Sequence, residues 1–444
     1  MKFSKYINNI SALQYTELAR YGTLFMIGVL FTKSQLSAKE IGFYESFMFI
    51  AGAVSFFWLS GLIKAFLPLY NTSKTFANQP KKKSPEFFSF FCLVFFINIL
   101  VIILLLLFKN SFTDLIAESS DFPYINLLLV YIFLNNPSGI IEYIYLLNKK
   151  LDGIIIYSSS TYFLQLIIVG LMPIFGFALD YIFYALIFIS SIRFIWLIIL
   201  VFRFSLIKLS FSYIKEHILI ALPLILSLFL SGSAQYIDGF LVTLYFNEET
   251  FAVFRYGARE LPIAMLLANA LSMAMLPEFS KQGNLSAALN TIRSKSLKLM
   301  HFLFPITIVL LMTSHWLYPR VFNSNFTESA NVFNAYLLLI ISRLTFPQTI
   351  LTGLKKNKSI LMASTIELII NFGLSILLIK YLGITGVALA TVFAFIVEKI
   401  ILITSCNKFG IKPQQYIPAK WLLIYSFAII LIYIEIDFKL FELL

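Results

Sequence analysis

A chain of 444 residues that is 59% hydrophobic and 13% charged, with mean hydropathy +0.87, has too little polar surface for a water-soluble globule; ordinary domains carry about 25% charged residues. The net charge of +12 would suit a nucleic-acid or acidic partner, but the Lys and Arg gather in short loops beside apolar runs, so membrane topology accounts for them and nucleic acid does not. Cys92, Cys406, His217, His301 and His315 show neither a disulfide framework nor metal-ligand spacing, so neither metal nor cofactor is expected. The first apolar run, 13–32, contains Glu17 and Arg20 and lacks a small-residue cleavage site, which predicts a retained helix. Twelve more spans are predicted at 41–67, 85–108, 122–147, 153–177, 180–202, 217–246, 251–277, 299–318, 329–353, 359–379, 384–405 and 421–436. Runs this long exceed the tilted strands of about 9–11 residues in a membrane barrel. An all-α integral membrane protein is expected.

Orientation follows from counting. With the N-terminus cytoplasmic, alternate connections hold 21 Lys and Arg inside and 6 outside, as the positive-inside rule requires. Lys81-Lys82-Lys83 then reads as a topology anchor. The longest connection, 278–298, is cytoplasmic, and Leu285, Ala288, Leu289 and Ile292 share one face, which predicts a short amphipathic helix lying on the membrane surface. No outer connection exceeds roughly a dozen residues, so no soluble catalytic domain fits. That points away from an enzyme and toward a transporter.

The chain repeats itself. Phe66-Leu67-Pro68-Leu69-Tyr70 is matched by Met275-Leu276-Pro277-Glu278-Phe279, each before a basic loop. Leu147-Asn148-Lys149-Lys150 is matched by Gly353-Leu354-Lys355-Lys356, and the offsets are about 206 to 210 positions. The expected organisation is a six-helix lobe at 1–208, a second at 209–410, and an extra transmembrane helix with its tail at 411–444. Duplicated helical bundles are how many carriers build a site opening to each side in turn.

Charges inside the spans are the candidate site, because each costs about 2.5–3.5 kcal/mol at the bilayer centre on insertion scales. The cations are Arg20, Arg193, Arg255, Arg259 and Arg343, and the acids least explained by span ends are Glu17, Asp238 and Glu367. Arg255 and Arg259 are four apart and would share a face of the eighth span; their mutual repulsion suggests an anion or a water-filled cavity between them. Arg343 precedes Pro347 in the tenth span, and Asn135-Asn136-Pro137 interrupts the fourth. Broken helices in corresponding positions mark a central site. Five converging guanidinium groups would form a cationic chamber for a phosphate-bearing substrate. The competing expectation is structural ion pairing, Arg20 with Glu17, or Arg259 with Glu260 and Asp238.

The stretches "PLILSLFLSGSAQYID" (223–238), "FAVFRYGARELP" (251–262), "AMLPEFSK" (274–281) and "TGLKKNKSILMASTIELIINFGLSILLIKYLGITGVALAT" (352–391) resemble the polysaccharide-exporter branch of the multidrug/oligosaccharidyl-lipid/polysaccharide (MOP) superfamily, with Gly383 and Gly386 in the usual turn between spans eleven and twelve. The resemblance covers nearly the whole chain. It implies two six-helix lobes related by a pseudo-twofold axis, a V-shaped cavity, and cationic cavity residues matched in class by Arg20, Arg255, Arg259 and Arg343. It further implies a Wzx-type flippase in the bacterial inner membrane, moving an undecaprenyl-pyrophosphate-linked glycan such as an O-antigen repeat unit to the periplasmic leaflet by alternating access. Its partners would be the lipid bilayer and the polymerase and chain-length proteins of the same pathway. Proton or sodium counter-transport would run through Glu17, Asp238 or Glu367. Thirteen predicted spans depart from the usual twelve or fourteen, and the lipid II branch normally has fourteen, which counts against that branch. The rivals are a drug/cation antiporter of the same superfamily, which would want an acid-rich cavity, and a membrane-embedded polysaccharide polymerase or ligase, which would want a large periplasmic loop.

Overall fold

The computed structural model describes residues 9–72, 85–108, 122–280 and 285–438, and the expected Lys81–Lys83 anchor lies outside them. Among the described residues there are helices and no strands. Nine helices there, ten with one bent pair, are long and apolar enough to cross a membrane. By internal contacts the chain forms two compact units, Met1–Gly232 with Asn247–Glu249, and Ser233–Phe246 with Thr250–Leu444.

The first unit holds α1 (Asn9–Thr32), α2 (Ala38–Thr72), α3 (Pro85–Leu107), α4 (Ile125–Ser138), α5 (Ile141–Leu147), α6 (Leu151–Gln165), α7 (Leu179–Phe204) and α8 (Phe211–Gly232). Helix α2 starts on a reciprocal cap: Glu40 N–H donates to Ser37 Oγ and Ser37 N–H to Glu40 Oε2. Helix α8 lies along α2 at close range; a Cβ on Gly61 would sit 2.4 Å from Ile225 Cγ1. Phe66 and Phe90 stack at 4.0 Å beside His217, whose Nε2 is 2.9 Å from the Leu62 carbonyl oxygen.

The Asn135-Asn136-Pro137 interruption has a partner that sequence reading misses. Pro137 has no N–H for the carbonyl of Phe133, one turn back. Buried Asn98 of α3 supplies the donor, its amide reaching Phe133 O at 3.2 Å and Ile132 O at 3.3 Å, while Asn136 donates to Asn98 Oδ1 at 3.1 Å. In lipid an unpaired carbonyl finds no water. Asn98 therefore lets α4 run through Pro137 and break only after Ser138.

The second unit holds α9 (Ala234–Tyr245), α10 (Glu248–Gly257, its first two residues in the first unit), α11 (Pro262–Ser280), α12 (Leu285–Val321), α13 (Ser329–Leu337), α14 (Ile340–Arg343), α15 (Pro347–Gly353), α16 (Asn357–Lys408) and α17 (Ala419–Phe438). Helix α16 has 52 residues but breaks at Gly383, whose φ of 55° no side-chain-bearing residue adopts cheaply. It is two spans folded back on each other, as the sequence pattern predicts. The thirteenth predicted span is α17, anchored on α12 by Tyr425 against His301 and by Asp437 against His315.

Two expectations are corrected. The amphipathic segment after 284 is not a separate surface helix: it is continuous with the ninth span in α12, and Ala288, Leu289 and Ile292 are buried against protein. The predicted face is right, but a helix once started extends more cheaply than a new one nucleates. The eighth span is not one helix either. The chain leaves α10 at Gly257, where a Cβ would fall 2.4 Å from Ser329 O, and re-enters at Pro262. The repeat, by contrast, is visible in the backbone. Lys149 and Lys355 have φ of 55° and 58°, and each closes its helix with the same hydrogen bonds, Lys150 N–H to Tyr145 O and Lys356 N–H to Leu351 O.

Candidate functional site

Each unit carries its own polar cluster among its apolar helices. In the first, Arg193 of α7 is buried, and Nη2 donates to Gln165 Oε1 at 2.6 Å. Nη1 reaches Asn135 Oδ1 at 3.5 Å, and the guanidinium lies 4.9 Å over the Tyr162 ring. Gln165 sits where α6 gives way to a π-turn at Leu166–Gly170, a wider coil of the kind that often marks functional positions. Among the described residues the hydrogen-bond partners of Arg193 are all neutral, and its Nε has none. Glu142 of α5 lies within electrostatic reach of it and of Glu17 and Arg20.

Glu17 and Arg20 pair with each other on α1, as the structural expectation held, and their side chains are 55% and 53% exposed. Hydrogen bonds of Thr16 to Ser158 and Tyr15 to Ser159 turn the neighbouring residues toward α6. The pair thus stays on the open side of α1. An exposed pair of this kind contributes at most about 1 kcal/mol in water, so each partner is free energetically to change ligand.

In the second unit two helix breaks are joined by a salt bridge. Arg343 ends α14; the chain then turns through Phe346, at φ 56°, before Pro347 starts α15. Glu260 lies in the break between α10 and α11. Arg343 donates from Nε to Glu260 Oε2 at 3.1 Å and from Nη2 to Oε1, and stacks 4.9 Å over Phe395. The carbonyl of Leu344, loosened by the break, accepts a 2.7 Å bond from Ser296 of α12. A small cavity adjoins the bridge, lined among others by Glu260, Leu261, Met265, Thr307, Tyr336 and Arg343. Arg255 lies in the last turn of α10, and Arg259 follows in the break with its guanidinium 4.8 Å over Tyr256. They do not share the face of a continuous helix.

Asp238 of α9, 4% exposed, is a buried charge of this unit. Its Oδ2 accepts from Tyr336 Oη–H and, at 2.5 Å, from Thr391 Oγ1; its Oδ1 accepts from Asn371 Nδ2 at 3.2 Å. Ser375 donates to Asn371 Oδ1 at 3.1 Å. Thr391 Oγ1 also lies 3.3 Å from both Asn371 Oδ1 and Val387 O, so its single proton faces three acceptors. Hard oxygen donors in excess of protons fit a proton or a small alkali cation. Glu367 is buried apart from this set, with Oε1 unpartnered.

Arg20 and Arg193 lie in the first unit and Arg255, Arg259 and Arg343 in the second; Arg20 and Arg343 are paired with carboxylates. Sequence reading misses Tyr336, Asn371, Ser375 and Thr391 because each is a single polar residue in an apolar run. Asn371 and Ser375, one turn apart, were the available signal.

A chain of this helical layout, with polar clusters beside broken helices, is a multi-pass membrane protein. The profile of the lipid II flippase MurJ family matches residues 43–440, and the chain belongs to that family. A solved lipid II flippase MurJ in an inward closed conformation superposes with TM-score 0.67 at 18% identity, covering 94% of this chain and 91% of that one. A MOP-superfamily transporter from Pyrococcus furiosus gives 0.56 at 14% identity, covering 90% and 93%. The MATE transporter VcmN from Vibrio cholerae, solved as a point mutant, gives 0.55 at 16%, covering 90% and 98%. These likenesses are of fold. No curated protein sequence matches. The family places the chain among flippases of lipid-linked saccharides, which are transporters and not enzymes, and in a branch other than the exporters that the sequence resemblance implied. A count of spans is a weak guide, since one terminal helix changes it without altering the bundle.

Proposed function

We propose that this chain moves a saccharide carried on undecaprenyl diphosphate from the cytoplasmic to the periplasmic leaflet of the bacterial inner membrane, by alternating access and with its N-terminus cytoplasmic. The family match over residues 43–440 carries this reading. Arg20, Arg193, Arg255, Arg259 and Arg343 are the proposed diphosphate ligands, because a guanidinium binds phosphate oxygens through two parallel hydrogen bonds. Arg343 would exchange the Glu260 carboxylate for phosphate, and Arg20 would exchange Glu17. The break after Ser138, just beyond Asn135, Asn136 and Pro137, and the break before Pro347 would be the internal joints of the two repeats, 1–208 and 209–410; 411–444 would be an added element. An inside-negative potential favours outward movement of the anionic head by about 2.3 kcal/mol per charge per 100 mV. Asp238 is the proposed carrier of a counter-transported proton or sodium ion; Glu17 and Glu367 are lesser candidates.

Family membership favours lipid II as the cargo. The stretches at 223–238 and 352–391 favour a second reading, the repeat unit of O antigen or a similar surface polysaccharide, handed on to the polymerase and chain-length proteins of that pathway. Complementation separates the two. Rescue of growth in cells depleted of their lipid II flippase supports the first, and return of surface O antigen in cells lacking their O-antigen flippase supports the second. Failure of both at matched membrane levels, or full rescue by the Arg255→Ala/Arg259→Ala variant, counts against the proposal.

A further inference from the structure

We infer that Tyr336 is the positioning residue that couples the Asp238 cation site to the Glu260–Arg343 bridge, so that occupancy of one is felt at the other. The inference rests on the reading of Asp238 as a sodium-coupling carboxylate. Tyr336 is a buried side chain with two roles in the same unit. Its hydroxyl donates to Asp238 Oδ2, and the residue lines the cavity beside Glu260 and Arg343. It stands on the last turn of α13, seven positions before Arg343, with only the short α14 between it and the break at 344–346. Its ring is held on one side by Phe254, edge to face at 6.4 Å. Across the cavity stand Ala264 and Met265 of α11, the helix that begins just after Glu260.

The physical link is the shared oxygen. Asp238 Oδ2 already accepts two hydrogen bonds, from Tyr336 and Thr391. A sodium ion seated on Asp238, Asn371 Oδ1 and Thr391 Oγ1 would compete with both donors for that oxygen. Thr391 can turn its proton toward Val387 O, 3.3 Å away. The tyrosine O–H swings only within the plane of its ring, so loss of Asp238 Oδ2 as acceptor favours a movement of the ring, and the cavity is the space beside it. A moved ring presses on the segments bearing Leu261 and Arg343. Sodium would thereby favour one geometry of the bridge over the other, which is the condition for a ligand to shift an equilibrium. The other charged groups in electrostatic reach of this network are Glu367, Glu398 and Lys399.

The test is a double-mutant cycle on the full chain in detergent. The reading is the midpoint of sodium-dependent thermal stabilisation, with choline holding the ionic strength constant. Because coupling is reciprocal, Glu260→Gln should shift the sodium midpoint about fivefold or more in the wild-type background and leave it within about twofold in Tyr336→Phe. Ala264→Leu narrows the cavity that Tyr336 lines and leaves Asp238 itself unchanged, and should abolish the shift in the same way; it keeps the test decisive if Tyr336→Phe does not fold. Equal shifts in both backgrounds would mean that the coupling bypasses Tyr336. No shift in the wild-type background would mean that there is no coupling. Either result overturns the inference while sodium binding stands. Sodium stabilisation that is absent from the wild type, or that survives Asp238→Asn, removes the sodium reading itself and the inference with it.

Discussion

The polar clusters of the two units are chemical opposites built by the same device. Among the described residues, Arg193 is a buried cation hydrogen-bonded only to the side-chain oxygens of Gln165 and Asn135. Among them too, Asp238 is a buried anion hydrogen-bonded only to the hydroxyls of Tyr336 and Thr391 and the amide of Asn371. In both, neutral dipoles soften a charge that lipid would otherwise penalise, without the opposite charge that would cancel it at contact. Such a charge retains its attraction for a mobile counter-ion, an anion at Arg193 and a cation at Asp238. Glu260 and Arg343 teach the contrary lesson, since there the protein supplies the counter-ion itself.

The comparison can be broken by substitution. The largest effect is expected at Asp238. Asp238→Asn keeps the shape but removes the charge, and cation-dependent transport in proteoliposomes should fall at least about tenfold, as expected when a buried charge that binds a ligand is lost. Retained cation dependence would make Asp238 merely a structural acceptor. Arg343→Ala should come next. It strands Glu260 and should cost about 2 kcal/mol of stability, less than the 3–5 of fully buried pairs because a quarter of each side chain is exposed. Denaturation of the purified protein reads this directly, and the charge-swapped Glu260→Arg/Arg343→Glu pair should recover part of the loss.

Asn98→Ala sharpens the contrast between structural and functional polarity. Two carbonyls on α4 would lose their donor, for about 1–3 kcal/mol. Pro137→Ala in the same chain should restore the helical bond to Phe133 O and return part of it. A double mutant as unstable as Asn98→Ala alone would show that Asn98 does something other than repair the proline. The smallest effect on stability belongs to Arg20→Ala, below about 1 kcal/mol because the Glu17–Arg20 pair is exposed. Flipping should nevertheless drop, if this guanidinium meets the diphosphate.

Much of the fold was legible in the chain because membrane spans are local. The turn at Lys149 and its echo at Lys355, the hairpin at Gly383 and the extra helix after 410 can all be read from apolar run length and glycine. What misled was continuity: the span at 251–277 looks like one helix because nothing in "FRYGARELP" shows that Gly257 is pressed against Ser329. The candidate site was legible only as a roster of charges. Arg343 and Glu260 stand in the list, but their pairing joins residues more than eighty positions apart.

Sequence alone determined that the protein is a helical membrane transporter with an internal repeat, because hydropathy and loop charge act over one span at a time. Tertiary structure decided which charges are cancelled and which are left with neutral partners. That depends on distance between side chains from different helices, and Coulomb energy in a medium of low dielectric is set by a few ångströms.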